Sequence, residues 1–114
     1  MSYDVRLKDA DGNTVKVDNH EEGGTYALGG TPEAELNVTY NYSKVLNELW
    51  GEGTVFLDGK RADRVTKLLR DTVTVLGTER DDDYWKPTEG NVGYALSILL
   101  RWAEQYPDAT FEVV

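Results

Sequence analysis

Thr88-Glu89-Gly90-Asn91-Val92-Gly93-Tyr94-Ala95-Leu96-Ser97-Ile98-Leu99-Leu100-Arg101-Trp102-Ala103-Glu104-Gln105 is the stretch from which the architecture follows. Val92, Ala95, Leu96, Leu99, Trp102 and Ala103 recur at helical spacing, with Ile98 and Leu100 on their flanks. So wide an apolar arc belongs to a largely buried helix, and other elements must cover it. The helix starts at about Thr88 or Asn91, with Pro87 in its first turn or in the loop before it. Tyr106-Pro107-Asp108 breaks it, and Thr110-Phe111-Glu112-Val113-Val114 reads as a closing strand.

Upstream lies an acidic loop, residues 78–83, and before it a second helix from Lys60 to about Leu76. Asp58 is its N-cap candidate and Gly77 its stop. Val65, Leu68, Leu69, Thr72 and Leu76 line one side, and Lys60, Arg64 and Lys67 lie nearly opposite. Thr72-Val73-Thr74-Val75 is a weak helix former, but the stripe continues through it to Gly77. A shorter helix, Lys44 to about Trp50, follows an N-cap candidate at Ser43, carries Val45, Leu46, Leu49 and Trp50 as its stripe, and ends at Gly51 and Gly53. Thr54-Val55-Phe56-Leu57 is a connector or one more strand.

The N-terminal part reads as strands. Residues 3–8 alternate, Asp11-Gly12-Asn13 is a turn signal, and Thr14-Val15-Lys16-Val17 reads as the return strand. Residues 19–34, with four glycines and Pro32, read as a loop. Glu35-Leu36-Asn37-Val38-Thr39-Tyr40 alternates as a third strand, with Leu36, Val38 and Tyr40 on one face. The sum is one α+β domain over residues 1–114. It has a small, mostly antiparallel sheet of about four strands with three helices packed on one face.

The 114 residues suffice for one core, with 39% hydrophobic residues and three tryptophans. There is no Cys, so disulfide and thiolate chemistry are excluded. No apolar run approaches a membrane span. Residues 1–4 have neither the basic nor the apolar region of a signal peptide, and the cytoplasm is the expected location. The net charge of −9, from 21 acidic and 12 basic residues, argues against direct nucleic-acid binding. It favours cationic partners, up to an imitation of nucleic-acid charge.

Chemistry-bearing groups are few. His20 is the only histidine, no nucleophile is recognisable near it, and a zinc site would need three carboxylates. Asp81-Asp82-Asp83 lacks the spacing of a calcium loop and reads as a solvated acidic turn. No catalytic residue, metal or cofactor is expected. Two segments instead concentrate neutral hydrogen-bonding groups and aromatic rings. These are residues 23–43 (GGTYALGGTPEAELNVTYNYS) and 81–91 (DDDYWKPTEGN). Such a composition suits a polar binding pocket. It equally suits loops locked by their own side-chain caps. Asn37, Thr39 and Asn41 alternate and share one putative strand face. The basic helix stripe, with Arg61 and Arg70 added, suits anionic groups or the acidic loop of a second subunit, or is a solvated face.

The same two segments resemble a family of small uncharacterised proteins encoded in phages, prophages and other mobile elements. The resemblance spans most of the chain and is strongest over residues 23–43 and 82–96, with the opening MSYDV and the turn before Val15 also matching. Residues 51–76 fit that pattern least. The resemblance implies a viral setting, in which small accessory proteins without catalytic groups counter host defence. The expectation is therefore a non-enzymatic protein that sequesters a small polar ligand, a nucleotide immune signal being the leading candidate. The alternative is an acidic protein that inhibits a host defence nuclease or effector. The expected ligand-binding residues are Thr25, Tyr26, Thr31, Asn37, Thr39, Asn41 and Tyr42 from the first segment and Tyr84, Trp85, Thr88, Glu89 and Asn91 from the second. Tyr26 and Trp85 would stack on a base, with Arg64 and the amides near Gly24 and Gly30 on phosphate. A homo-oligomer, in which residues 60–70 meet residues 78–83 of a second copy, is also expected.

Overall fold

The computed structural model describes residues 1–20 and 31–114. Among the described residues there are five strands: β1 (Ser2–Lys8), β2 (Lys16–His20), β3 (Thr31–Glu33), β4 (Glu35–Thr39) and β5 (Thr110–Val113). There are three α-helices, α1 (Ser43–Trp50), α2 (Ala62–Leu76) and α3 (Glu89–Gln105), and two 3-10 turns at Tyr40–Tyr42 and Thr54–Leu57. The main sheet has the order β4-β1-β5, and β2 pairs with β3 in a second sheet; every pairing is antiparallel. This is an α+β fold.

Alternation along β1 divides the sheet. Val5 and Leu7 are buried, with Leu36, Val38 and Phe111 from the neighbouring strands. The opposite face carries charge. Arg6 stands opposite both Glu35 and Glu112 in register, and pairs with them at 3.0 and 3.2 Å. Lys8 adds a contact to Glu112 at 3.1 Å. Lys8, and then Arg6, hold the Glu112 carboxyl below its ordinary range. Opposite charges placed directly across the ladder favour this pairing over others. They also fix the register, since a slip of one residue would bury Arg6.

The expected hairpin between residues 3–8 and 14–17 forms only at its turn. The Asp9 carboxylate accepts the amides of Asp11 and Asn13, each at 3.0 Å, and Lys8 bridges Thr14. The two strands then part in a three-way exchange. Val15 N–H donates to Leu7 O, Ala34 N–H to Val15 O, and Leu7 N–H to Ala34 O. Beyond that point β2 follows β3, while β1 continues along β4. Residues 14–17 are extended as read, with Thr14 in a bridge to Lys8 and β2 starting at Lys16, but the return pairing along β1 is corrected. The alternation was present, but the partner is β3, which the Gly- and Pro-rich composition of residues 19–34 concealed. The glycine-rich residues 21–30, including Thr25 and Tyr26, lie outside the described residues.

α2 and α3 pack as an antiparallel pair over the sheet, with Val65, Leu69, Thr72 and Leu76 facing Val92, Ala95, Leu96, Leu99 and Trp102. Their approach is close where α3 begins. A Cβ on Gly93 would stand 1.7 Å from Gly77 O, and one on Gly90 1.8 Å from Glu79 O. Thr72-Val73-Thr74-Val75 is helical as expected, and Thr72 and Thr74 hydroxyls donate to the carbonyls of Leu68 and Arg70. Two N-cap readings are corrected. Ser43 is the first residue of α1 rather than its cap. Asp58 closes the 3-10 turn at Thr54–Leu57 rather than capping α2, and its carboxylate accepts Val113 N–H, tying the edge of β5 to the approach to α2. α2 starts two residues later than expected. Leu49 is exposed rather than packed, and Tyr40 lies against the Tyr3 ring with its other side exposed, because the chain leaves the strand at Thr39. Trp50 covers the α1–α2 junction and donates from its indole to Thr72 Oγ1 at 3.0 Å.

Candidate functional site

β4 ends at Thr39, whose backbone (φ −62°, ψ 145°) is still extended and whose hydroxyl accepts Asn41 N–H. The 3-10 turn that follows aims Asn41 and Tyr42 at the second polar segment. Asn41 Nδ2 donates to Trp85 O at 2.9 Å, and the Tyr42 hydroxyl donates to Tyr84 O. The two segments therefore meet through residues 41–42 and 84–85.

From the other side the loop is held by α3. Thr88 caps the helix by accepting Asn91 N–H at 3.1 Å. Asn91 is 3% exposed. Its Oδ1 accepts Asp81 N–H at 2.9 Å, and its Nδ2 donates to Asp83 O and Lys86 O at 3.1 and 2.9 Å. The aspartates make turns rather than a cation site: Asp81 accepts Asp83 N–H and Asp83 accepts Trp85 N–H. Among the described residues no group of three or more His, Asp or Glu side chains is placed to hold a metal ion. No described helix is long and apolar enough to cross a membrane.

Many of the expected ligand groups are thus committed to the chain itself. Tyr42 is buried, and burial pushes its phenol up to about 12, with Arg80 opposing and Asp83 adding. Asn37 lies on the charged face of the sheet and donates to Ser2 Oγ and Asp4 Oδ1. Thr39 is buried, so Asn37, Thr39 and Asn41 do not present one face together. Thr31 lies on β3, beyond the bend at Ala34. The five steps from Ala34 to Thr39 alone span about 17 Å of extended chain. Arg64 sits in the first turn of α2, about 18 Å of helix from Leu76 and the start of α3. It forms no ion pair among the described residues. Its neighbours pair within the chain: Arg61 with Asp63 and Asp108, Lys67 with Asp71, and Arg70 with Glu104.

The outward groups are fewer. The Trp85 ring is 41% exposed and lies 5.8 Å from the half-buried Tyr84 ring. Glu89, in the first turn of α3, is exposed. Beside the loop is an open cleft of about 400 Å³ lined by Leu76, Gly77, Glu79, Arg80, Asp81, Thr88 and Gly90. Arg80 was not singled out by the sequence reading. Its guanidinium lies 4.5 Å from the centre of the Tyr94 ring. An arginine within an acidic loop just before a helix start was the available signal. Comparison with protein-family models, with curated proteins and with solved structures found no match for the chain.

Proposed function

We propose that this chain is a non-enzymatic phage or prophage accessory protein that captures a small polar ligand, a nucleotide immune signal being the class that fits best. One observation carries the reading: Trp85 is presented to solvent on a loop whose backbone is clamped from both sides, by Asn41 and Tyr42 and by Asn91. A preorganised aromatic face binds planar ligands without paying to order itself. In this reading a base stacks on Trp85, Glu89 accepts from the ligand's N–H or hydroxyl groups, and its anionic group enters the cleft at Arg80. Residues 41, 42, 88 and 91 act by holding that face in place. Capture without turnover suits a sequestering protein.

The second reading is an acidic inhibitor of a host defence nuclease or effector, working in the host cytoplasm. The exposed carboxylates of residues 79–83 and 89 around the same loop favour it. Self-association is part of the proposal. Leu49, Val55 and Val75 are large apolar side chains left at the surface, and light scattering at micromolar concentration tests it.

Native mass spectrometry of protein purified from defence-active cells separates the readings. A retained small molecule that is lost in Trp85→Ala is the expected result, with affinity falling about 5- to 150-fold for the loss of one stacked base. A basic host protein in its place supports the inhibitor. Neither, from cells in which the chain is shown to suppress defence, overturns both.

A further inference from the structure

We propose that the two clefts flanking Tyr106 form one docking groove for a basic, extended segment of another protein. The larger, about 660 Å³, is lined by Asp9, Asn13, Thr14, Val15, Lys16, Glu33 and Tyr106. The smaller, about 280 Å³, adds Pro107, Asp108 and Ala109 and shares Asp9, Val15 and Tyr106 with it. Tyr106 follows the last turn of α3 and donates its hydroxyl to Lys16 O, so its ring is held in place where the two spaces meet.

The charges around the groove select the occupant. Asp9, Glu33 and Asp108 face one ammonium, Lys16, in a chain whose net charge is −9. Lys16 is already matched by Glu33 at 3.3 Å, and Asp108 by Arg61 at 2.6 Å. Asp9 is different. One of its oxygens accepts the amides of Asp11 and Asn13, it forms no ion pair among the described residues, and it lines both spaces. A guanidinium laid on the Tyr106 ring could bond the second oxygen of Asp9, combining a cation–π contact with a charge-assisted hydrogen bond. Two adjoining spaces that share Asp9, Val15 and Tyr106 match side chains that recur along an extended chain. A compact cation would fill only one of them. The groove is distinct from the Trp85 loop, which lies at the other end of α3, and the proposal does not rest on what binds there.

The test is a penta-arginine peptide titrated into isotopically labelled protein at low salt, followed by amide chemical shifts. Saturable shifts at Asn13, Lys16, Tyr106 and Ala109 are expected, weakened about fivefold by Asp9→Asn, which keeps a turn-forming oxygen, and unchanged by Trp85→Ala. Tyr106→Leu should weaken binding similarly. If that variant loses its dispersed spectrum, Asp9→Asn alone decides. Shifts centred on residues 79–86, shifts that never saturate, or binding indifferent to Asp9→Asn would overturn the groove. Spermidine reproducing the same shifts at equal affinity would overturn the choice of a protein segment in favour of a free polyamine.

Discussion

Replacing Asn91 should release the whole second loop. The side chain of Asn91 holds three backbone positions of residues 81–86 through one accepted and two donated hydrogen bonds, all at 2.9–3.1 Å. Asn91→Ala leaves one amide and two carbonyls without partners. Their residues are exposed, so water can replace part of what is lost, and each bond counts at its net value of about 1 kcal/mol rather than at the full burial penalty. The expected loss is about 3 kcal/mol, or roughly 10–15 °C in melting temperature for a domain of this size. Asn91→Asp gives the argument a sign. It keeps the acceptor for Asp81 N–H but turns a carboxylate on the carbonyls of Asp83 and Lys86, which favours the protonated acid in the folded state. Stability of that variant should be fullest at acidic pH and decline as pH rises through the raised native pKa. Guanidinium denaturation of the three proteins at pH 7 and near pH 4, with hydrogen exchange at residues 81–86, measures both effects. A loss under about 1 kcal/mol in Asn91→Ala, with those amides still protected, would show that the loop is held by something else. An Asp variant insensitive to pH would refute the carbonyl contacts.

Other residues give sharper single outcomes. Trp102→Ala should cost about 3–5 kcal/mol, because the ring is buried between α3 and the core; a loss near 1 kcal/mol would remove Trp102 from that role. Gly93→Ala should cost about 3 kcal/mol or more, since the added carbon meets Gly77 O at 1.7 Å and α2 must move away; a variant as stable as the parent would contradict that helix contact. Tyr42 should titrate near 12 in absorbance at 295 nm, above the ordinary phenol range of about 10. Its folded pKa is raised, so its contribution is intact below about 10 and is lost as pH climbs through about 12, roughly 3 kcal/mol in all. Tyr42→Phe should abolish that late step, and a late step that persists would assign it to another tyrosine. Trp85→Ala should leave the melting temperature within a few degrees, because its ring is exposed and not packed against the core; a collapse in stability would make the second segment structural.

How much was legible in the sequence depends on what kind of contact each residue makes. The apolar arc of residues 92–103 and the alternation of residues 3–8 and 35–39 report burial, which is a property of one element at a time, and they placed α3, β1 and β4 well. Val15 shows the limit. Its alternation signals a strand but cannot say whether Leu7 or β3 takes the ladder onward. The polar residues were harder. Asn41, Tyr42 and Asn91 were read as ligand groups because their side chains can bond, yet their partners are backbone atoms of residues 81–86. A sequence shows hydrogen-bonding capacity, not who satisfies it. Gly90 and Gly93 carried a signal that went unused. Small residues three apart on an otherwise bulky helix point to close backbone approach, and here two carbonyls occupy that space.

Among the described elements, the central strand of the main sheet comes first along the chain, and one of its two partners comes last. β1 pairs with β5 from Val5↔Val113 to Lys8↔Thr110, and the Arg6–Glu112 contact spans 106 positions of chain. On the ribosome, β1 must therefore wait with one edge open until residues 110–113 have emerged, while β4, α1 and the α2–α3 pair can already assemble. The waiting edge is partly guarded, because Arg6 and Lys8 line it with charge that discourages pairing with a neighbouring nascent chain. Closure of the sheet is a late, long-range event, so folding should be slow for a domain of this size. Removing residues 110–113 would leave β1 without one of its two partners and the core without Phe111, so this short segment closes both the ladder and the packing.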